Sequence, residues 1–152
     1  MKSIKKYMLQ IISLVLAVLC LVACSARSSE IRDYCSESQV EFLDRLETEK
    51  PVSAVYYQNG EASNRFTITD TETICALAQA LCEIQIESPT ELYSTDSDNV
   101  FVFMMEDGKN YSFNFNEHNF EAKDQKCYTT SNGAALWTLA SQISEKATNL
   151  GS

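Results

Sequence analysis

The chain has 152 residues, 45% of them hydrophobic, and a net charge of −9 from 12 basic and 21 acidic residues. Residues 1–23 hold three of the basic residues and none of the acidic ones, so the rest of the chain carries nine basic and 21 acidic residues, a net charge of −12. Such an acidic chain repels nucleic acid and anionic lipid headgroups, so we expect no nucleic-acid role, and its length fits one domain.

The N-terminus has the layout of a secretory signal. A basic start with Lys2, Lys5 and Lys6 precedes residues 8–23, which are apolar except for Gln10 and Ser13. A basic segment followed by an apolar one and then by small residues is typical of export signals. The apolar run is short for a comfortable membrane span, which needs about 20 residues.

The end of this run, Leu21-Val22-Ala23-Cys24, resembles the lipobox of bacterial lipoproteins. The resemblance implies cleavage after residues 1–23, a diacylglycerol on the Cys24 thiol, and a protein anchored in the bacterial cell membrane, facing outside the cytoplasm. Two acyl chains suffice for stable anchoring. The alternatives are an ordinary cleaved signal or an uncleaved anchor helix, with Cys24 a bystander.

We interpret residues 24–37 as the lipidated cysteine and a polar tether, and residues 38–152 as one globular domain. Ser38 and Glu41 have capping-box spacing, and apolar residues recur behind them, which predicts a helix over 39–49 that ends before Pro51. Asn59-Gly60 predicts a turn between strands at 52–58 and 64–69.

The spacing of apolar residues then changes to that of an amphipathic helix, which we predict over 71–83 with Thr69 or Asp70 as its cap. A short strand at 83–87 follows it. Asp107-Gly108 predicts a second hairpin from strands at 100–105 and 111–116. A further strand at 126–130 and a last helix capped by Asn132 complete the order. This order of helices and strands indicates a two-layer α+β fold, in which helices pack on one face of an antiparallel sheet of about five strands.

Four cysteines remain besides Cys20 and Cys24, and an even number in an exported domain suggests disulfides. Residues seven apart on one helix lie about 10.5 Å apart, beyond the roughly 7 Å that a disulfide spans, so Cys75 and Cys82 cannot pair. Two pairings stay open: Cys35–Cys75 with Cys82–Cys127, or Cys35–Cys82 with Cys75–Cys127. Buried free thiols are the alternative, and a zinc site is disfavoured because no C-x-x-C pair is present.

No catalytic motif is recognisable, and we expect no metal and no cofactor. His118, the only histidine, lies nine residues before Cys127 without any supporting motif. Asp96-x-Asp98-Asn99 resembles the start of a calcium loop, but no glycine or closing glutamate follows at the required spacing.

Aromatic residues are the remaining candidates for function. Trp137 lies one position off the apolar stripe of its helix, so it either flanks the core or is partly exposed at a contact surface; tryptophan is enriched at binding hot spots, which makes it a candidate for such a surface. Tyr56, Tyr57, Phe101 and Phe103 are candidates for lining a groove or for the core. The sequence thus favours a binding or accessory module that contacts an envelope protein, a peptide or a cell-wall ligand; alternatives are a small exported enzyme, dependent on a thiol or on carboxylates, and a structural envelope protein.

Overall fold

The computed structural model describes residues 29–60, 64–94 and 96–150. The predicted signal, lipobox and Cys24 lie outside these residues. Within them the chain forms three α-helices and eight strands in one antiparallel sheet, so the α+β prediction is confirmed and the count of about five strands is too low. No helix among these residues is long and apolar enough to cross a bilayer.

The elements follow one another in a simple order. The helices are α1 (Glu37–Arg45), α2 (Thr71–Cys82) and α3 (Ala134–Leu150). The strands are β1 (Ser29–Glu30), β2 (Ser53–Tyr57), β3 (Arg65–Ile68), β4 (Gln85–Thr90), β5 (Asp98–Met104), β6 (Asn110–Asn116), β7 (Asn119–Glu121) and β8 (Cys127–Ser131). The order across the sheet is β1-β4-β8-β7-β6-β5-β2-β3.

Both predicted hairpins are present, because their turns have the chemistry that tight turns require. Asn59 and Gly60 both have positive φ, of 57° and 65°, after β2. Gly108 has φ of 81°, and its N–H donates to the Met105 carbonyl at 2.9 Å between β5 and β6. Glycine and asparagine adopt such backbone angles at little cost.

The core lies on one face of the sheet, between the strands and the helices. Phe42 of α1 is fully buried and stacks on Phe103 with ring centroids 4.9 Å apart, and Trp137 of α3 lies 5.8 Å from Phe101. Phe101 and Phe103 share one face because residues two apart in a strand point the same way. The helices therefore cover that face, as predicted. The other face of β5 carries half-buried valines and Met104.

The folded part begins earlier than we predicted. Residues 29–37 are not a tether: β1 pairs with β4, a 3₁₀ helix follows at Ile31–Tyr34, and Ile31 and Cys35 are each only 2% exposed. The folded part of the described chain thus includes residues 29–37, which the sequence assigned to the tether.

The first helix is also shifted towards the N-terminus. Its cap is Ser36, whose N–H donates to Gln39 Oε1 at 2.8 Å while the Gln39 N–H donates to Ser36 Oγ at 3.3 Å. The predicted box at Ser38 and Glu41 is therefore wrong by two residues. Ser36-x-x-Gln39 has the same spacing and forms the box, whereas the Glu41 side chain pairs with Lys109.

Candidate functional site

A groove beside Trp137 brings aromatic, amide and hydroxyl side chains together at one open site. It has a volume of about 420 Å³ and lies where β2 ends, β5 begins and β6 turns into β7, against one side of α3. We call it the Trp137 groove. Its lining residues are Tyr56, Gln58, Asn59, Ser97, Asn99, Glu117, His118, Trp137, Ala140 and Ser141.

Two buried polar side chains form the floor of the Trp137 groove. The Tyr56 hydroxyl donates to Asn99 Oδ1 at 2.8 Å, and the two residues are 3% and 8% exposed. Asn99 Nδ2 donates in turn to the Ser97 carbonyl at 3.2 Å and to the Glu117 carbonyl at 3.0 Å. Asn99 therefore connects β2, the segment before β5 and the β6–β7 turn. Burial raises the pKa of Tyr56 to about 12, so its phenol stays protonated at neutral pH.

The wall opposite the floor is built from the only tryptophan and the only histidine of the chain. The His118 ring stacks on the Trp137 indole with centroids 4.3 Å apart and an angle of 23° between the planes. The inner side of the indole meets Phe115 edge-on at 5.2 Å. Trp137 is half-buried and His118 is exposed, so the aromatic pair lies between core and solvent.

Backbone geometry around the groove is unusual at Glu117. Its φ is positive, 53°, which is uncommon for residues other than glycine, asparagine and aspartate. The Glu117 N–H donates to the Ser97 carbonyl at 2.7 Å, and the Asn99 amide holds the Glu117 carbonyl, so this turn is fixed from both sides.

The indole depends on a glycine at the start of α3. A Cβ on Gly133 would lie 3.0 Å from Trp137 Nε1, closer than side chains normally approach. Thr130 Oγ1 also donates to the His118 carbonyl at 2.8 Å, which ties the β6–β7 turn to β8. Contacts with β8 thus hold the turn that carries His118, and the absence of a side chain at Gly133 leaves room for the Trp137 indole.

The chemistry of this lining is polar and without basic side chains other than His118. Amides, hydroxyls and the Glu117 carboxylate surround the aromatic pair, and neither lysine nor arginine lines the groove. Oxygen acceptors in an acidic domain favour a ligand that carries hydroxyl, amide or ammonium donors and disfavour an anion.

The larger cavity beside α1, about 700 Å³, is a weaker candidate. Charged side chains dominate its lining, and several of them already form ion pairs with residues outside the lining. Glu41 binds Lys109 at 2.6 Å and Arg45 binds Asp107 at 2.8 Å. These pairs clamp α1 onto the β5–β6 hairpin, which is a structural role.

The structure separates the two residues of the suggested thiol site. His118 lies against Trp137 on the helix-covered face, whereas Cys127 pairs with Glu121, whose neighbour Phe120 points into the core. Cys127 therefore faces the opposite side of the sheet. Burial and the charge of Glu121 raise the pKa of Cys127, whereas a nucleophilic thiol needs a lowered one.

All four cysteines of the described chain are free thiols in the structure: Cys35, Cys75, Cys82 and Cys127. Cys127 is buried outside the main core, on the face without helices. Cys75 and Cys82 belong to α2, on the other face of the sheet. A disulfide from Cys127 to either of them would have to pass through the sheet, and each of the two predicted pairings includes one such disulfide. The disulfide prediction stays a prediction, and counting the free thiols of the denatured, unreduced protein would test it.

The structure also shows where the residues of the calcium-loop hypothesis and the aromatic candidates lie. Asp98 accepts a hydrogen bond from Asn116 Nδ2 at 2.8 Å at the start of β5, two residues after Asp96, which lies in a turn. Among the described residues, no group of three or more His, Cys, Asp or Glu side chains is arranged to hold a metal ion. Phe101 and Phe103 belong to the core, and Tyr57 lies on the other face of β2 from Tyr56, so only Tyr56 and Trp137 of the proposed aromatic set line the groove.

Sequence reasoning missed Asn99 and Glu117. A signal for Asn99 was available, because it occupies the same strand face as Phe101 and Phe103, and a polar residue at such a position must find a hydrogen-bond partner. Glu117 gives no comparable signal, since its placement depends on the turn into β7.

Comparison of the chain with protein-family models, with curated proteins and with solved structures found no match.

Proposed function

We propose that the protein is a membrane-anchored, extracytoplasmic lipoprotein that acts as a binding module, and that the Trp137 groove is its contact site. The observation that carries the proposal is the stacked Trp137–His118 pair above the buried Tyr56–Asn99 hydrogen bond. The stacked rings and the buried polar groups lie at one open groove, which combines apolar contact area with a few polar groups, as ligand sites do.

The ligand would be a peptide, an envelope protein segment or a cell-wall fragment that presents hydrogen-bond donors. Glu117 supplies the one carboxylate of the lining, and the domain has an excess of acidic residues. A neutral or cationic ligand therefore suits the groove better than an anionic one. Aromatic rings next to amides recognise such ligands by combining apolar contact with directed hydrogen bonds.

The membrane anchor is tested by the intact mass of the mature protein from its host. A lipidated Cys24 predicts a chain that begins at Cys24 and carries a diacylglycerol. An unmodified Cys24, or a chain that still begins at Met1, would contradict it.

The groove is tested by intrinsic fluorescence, because Trp137 is the only tryptophan and reports on the groove directly. We expect soluble cell-wall fragments or cationic peptides to change its emission in a saturable way. Glu117→Gln should weaken that binding at least fivefold, whereas Glu106→Gln, an equal charge change in the β5–β6 turn, should not. Equal effects of both variants would mean that the response comes from overall charge and not from the groove.

An enzymatic role is the second candidate, in the carboxylate-dependent form. Glu117 is the carboxylate placed best for it, at the rim of the groove beside His118. No second carboxylate lines the groove, so general acid–base chemistry by a carboxylate pair has less support than binding.

A further inference from the structure

The sheet ends at strand β3, whose outer edge is open. Among the described residues no strand pairs with that edge, since β3 is the last strand in the order across the sheet. The opposite edge strand, β1, has only two residues, whereas β3 has four in an unbroken register with β2. Proteins protect exposed edges with proline or with bulges, and β3 has neither. Its edge can therefore accept a further extended chain.

The register shows which backbone groups of β3 point out of the sheet. The Gln58 N–H donates to the Asn64 carbonyl at 3.0 Å, one residue before β3 begins. Backbone groups of alternate residues in an antiparallel strand point to the same side, so those of Phe66 also face β2. The N–H and carbonyl groups of Arg65 and Thr67 therefore point away from the sheet. They present two donors and two acceptors at the spacing of a strand, which an extended backbone matches.

A groove of about 520 Å³ runs along this edge, between β3 and α3. We call it the β3 groove. Phe66, Leu139 and Ile143 give it an apolar, half-buried wall, and Phe66 lies on the helix-covered face because it is opposite the buried Tyr56. The β3 groove shares no lining residue with the Trp137 groove, so the two are separate. Every second side chain of a chain docked along β3 would enter the β3 groove.

The charge of the β3 groove differs from that of the domain. Arg65 and Lys146 line it, and neither forms an ion pair with another residue in the described part of the chain. The one carboxylate of the lining, Asp70, accepts from the Thr73 N–H at 2.9 Å and from its hydroxyl at 2.6 Å. These bonds, with a smaller effect of the Lys146 charge, lower the pKa of Asp70. Two positive charges and one negative charge in an acidic domain favour an occupant with carboxylates.

We propose that the β3 groove binds an extended, acidic segment of a partner protein as a ninth strand of the sheet. The backbone of the segment pairs with that of Arg65 and Thr67. Its apolar side chains pack against Phe66, and its carboxylates lie next to Arg65 and Lys146. Strand addition of this kind gains affinity from backbone hydrogen bonds and specificity from the groove beside them. The site depends neither on the Trp137 groove nor on the lipid anchor.

The probe is a short, fluorescein-labelled peptide of alternating valine and glutamate. Its affinity for the full chain, purified in detergent, is measured by fluorescence anisotropy, and amide hydrogen exchange with residue resolution locates it. We expect the peptide to slow exchange at Arg65 and Thr67, whose N–H groups point outward. A peptide with lysine in place of glutamate, and one with methylated backbone nitrogens, should leave exchange at these two residues unchanged.

Two variants test the charges and the backbone separately. Arg65→Glu should weaken binding of the glutamate peptide about fivefold. Lys126→Glu, an equal charge reversal at an exposed position of the β7–β8 turn, should leave it unchanged. Thr67→Pro removes one outward N–H and none of the bonds to β2, so it should also weaken binding while far-UV circular dichroism stays the same.

Three results would overturn the proposal: no binding of the glutamate peptide, equal slowing of exchange at Arg65 and Thr67 by the lysine peptide, or equal effects of Arg65→Glu and Lys126→Glu. A glutamate peptide that changes Trp137 emission without slowing exchange at these amides would assign binding to the Trp137 groove instead. Slower exchange at higher protein concentration without peptide, together with a dimer in sedimentation velocity, would show that the edge pairs with a second copy and would also overturn the proposal.

Discussion

Tyr56→Phe removes a single oxygen atom from the floor of the Trp137 groove. The ring stays packed, because Tyr56 stacks on Phe101 at 4.8 Å and on Phe66 at 5.9 Å between centroids. No cavity of consequence forms. The change therefore isolates the hydrogen bond to Asn99 Oδ1.

The expected loss of stability follows from the hydrogen bonds that Asn99 keeps and from the one that it loses. Asn99 keeps its two donor bonds to backbone carbonyls, but its oxygen loses the Tyr56 hydroxyl in a site where Asn99 is only 8% exposed. A buried acceptor without a partner costs about 1–3 kcal/mol. We expect the free energy of unfolding to fall by that amount.

Urea unfolding at pH 7, followed by far-UV circular dichroism, measures this loss. Tyr57→Phe is the matched control, since Tyr57 lies on the opposite face of β2, and it should change the free energy by less than about 0.5 kcal/mol. A Tyr56→Phe loss as small as that of the control would refute the buried pair as the floor of the groove.

Three further predictions concern pH, the N-terminal segment and the thiols. Because the folded pKa of Tyr56 is about 12 and that of an unfolded tyrosine is about 10, its contribution to stability is complete below pH 10 and is lost between pH 10 and 12; urea unfolding across this range should show a drop in the free energy of unfolding that is about 2–3 kcal/mol larger in the wild type than in Tyr56→Phe. Ile31→Ala should lower the free energy of unfolding by about 2–5 kcal/mol, against under about 1 kcal/mol for the exposed Val52→Ala in the same urea assay, and equal losses would mean that Ile31 is not part of the core. Cys127 should be recovered as a free thiol when the denatured, unreduced protein is alkylated and mapped by mass spectrometry, and a Cys127 disulfide would contradict the sheet geometry.

Local patterns predict those parts of the fold that local interactions determine. The β5–β6 hairpin follows from alternating residues and the Asp107-Gly108 turn, and α2 follows from its apolar stripe and the Asp70 cap, whose carboxylate accepts from the Thr73 N–H at 2.9 Å. Each of these signals lies within about 20 residues of the chain. The sequence therefore suffices to place them.

Parts that depend on distant partners escaped prediction. Strand β1 has two residues and β7 has three, too short to express a period of two, and both form because β4, β6 and β8 offer open edges. The groove escaped for the same reason. Tyr56 and Trp137 could be singled out as aromatic candidates, but Asn99 and Glu117 join them only through contacts between separate strands.

The measurement that tests the proposed contact site most directly is site-specific photo-crosslinking in intact host cells. A photoreactive side chain at Ser141, exposed on the rim of the Trp137 groove, is compared with one at Ser112, exposed on the sheet face without helices. We predict a reproducible adduct from Ser141 that is absent from Ser112 and weakened by Glu117→Gln. Adducts that are equal at the two positions, or none from Ser141, would contradict the groove as the site of contact.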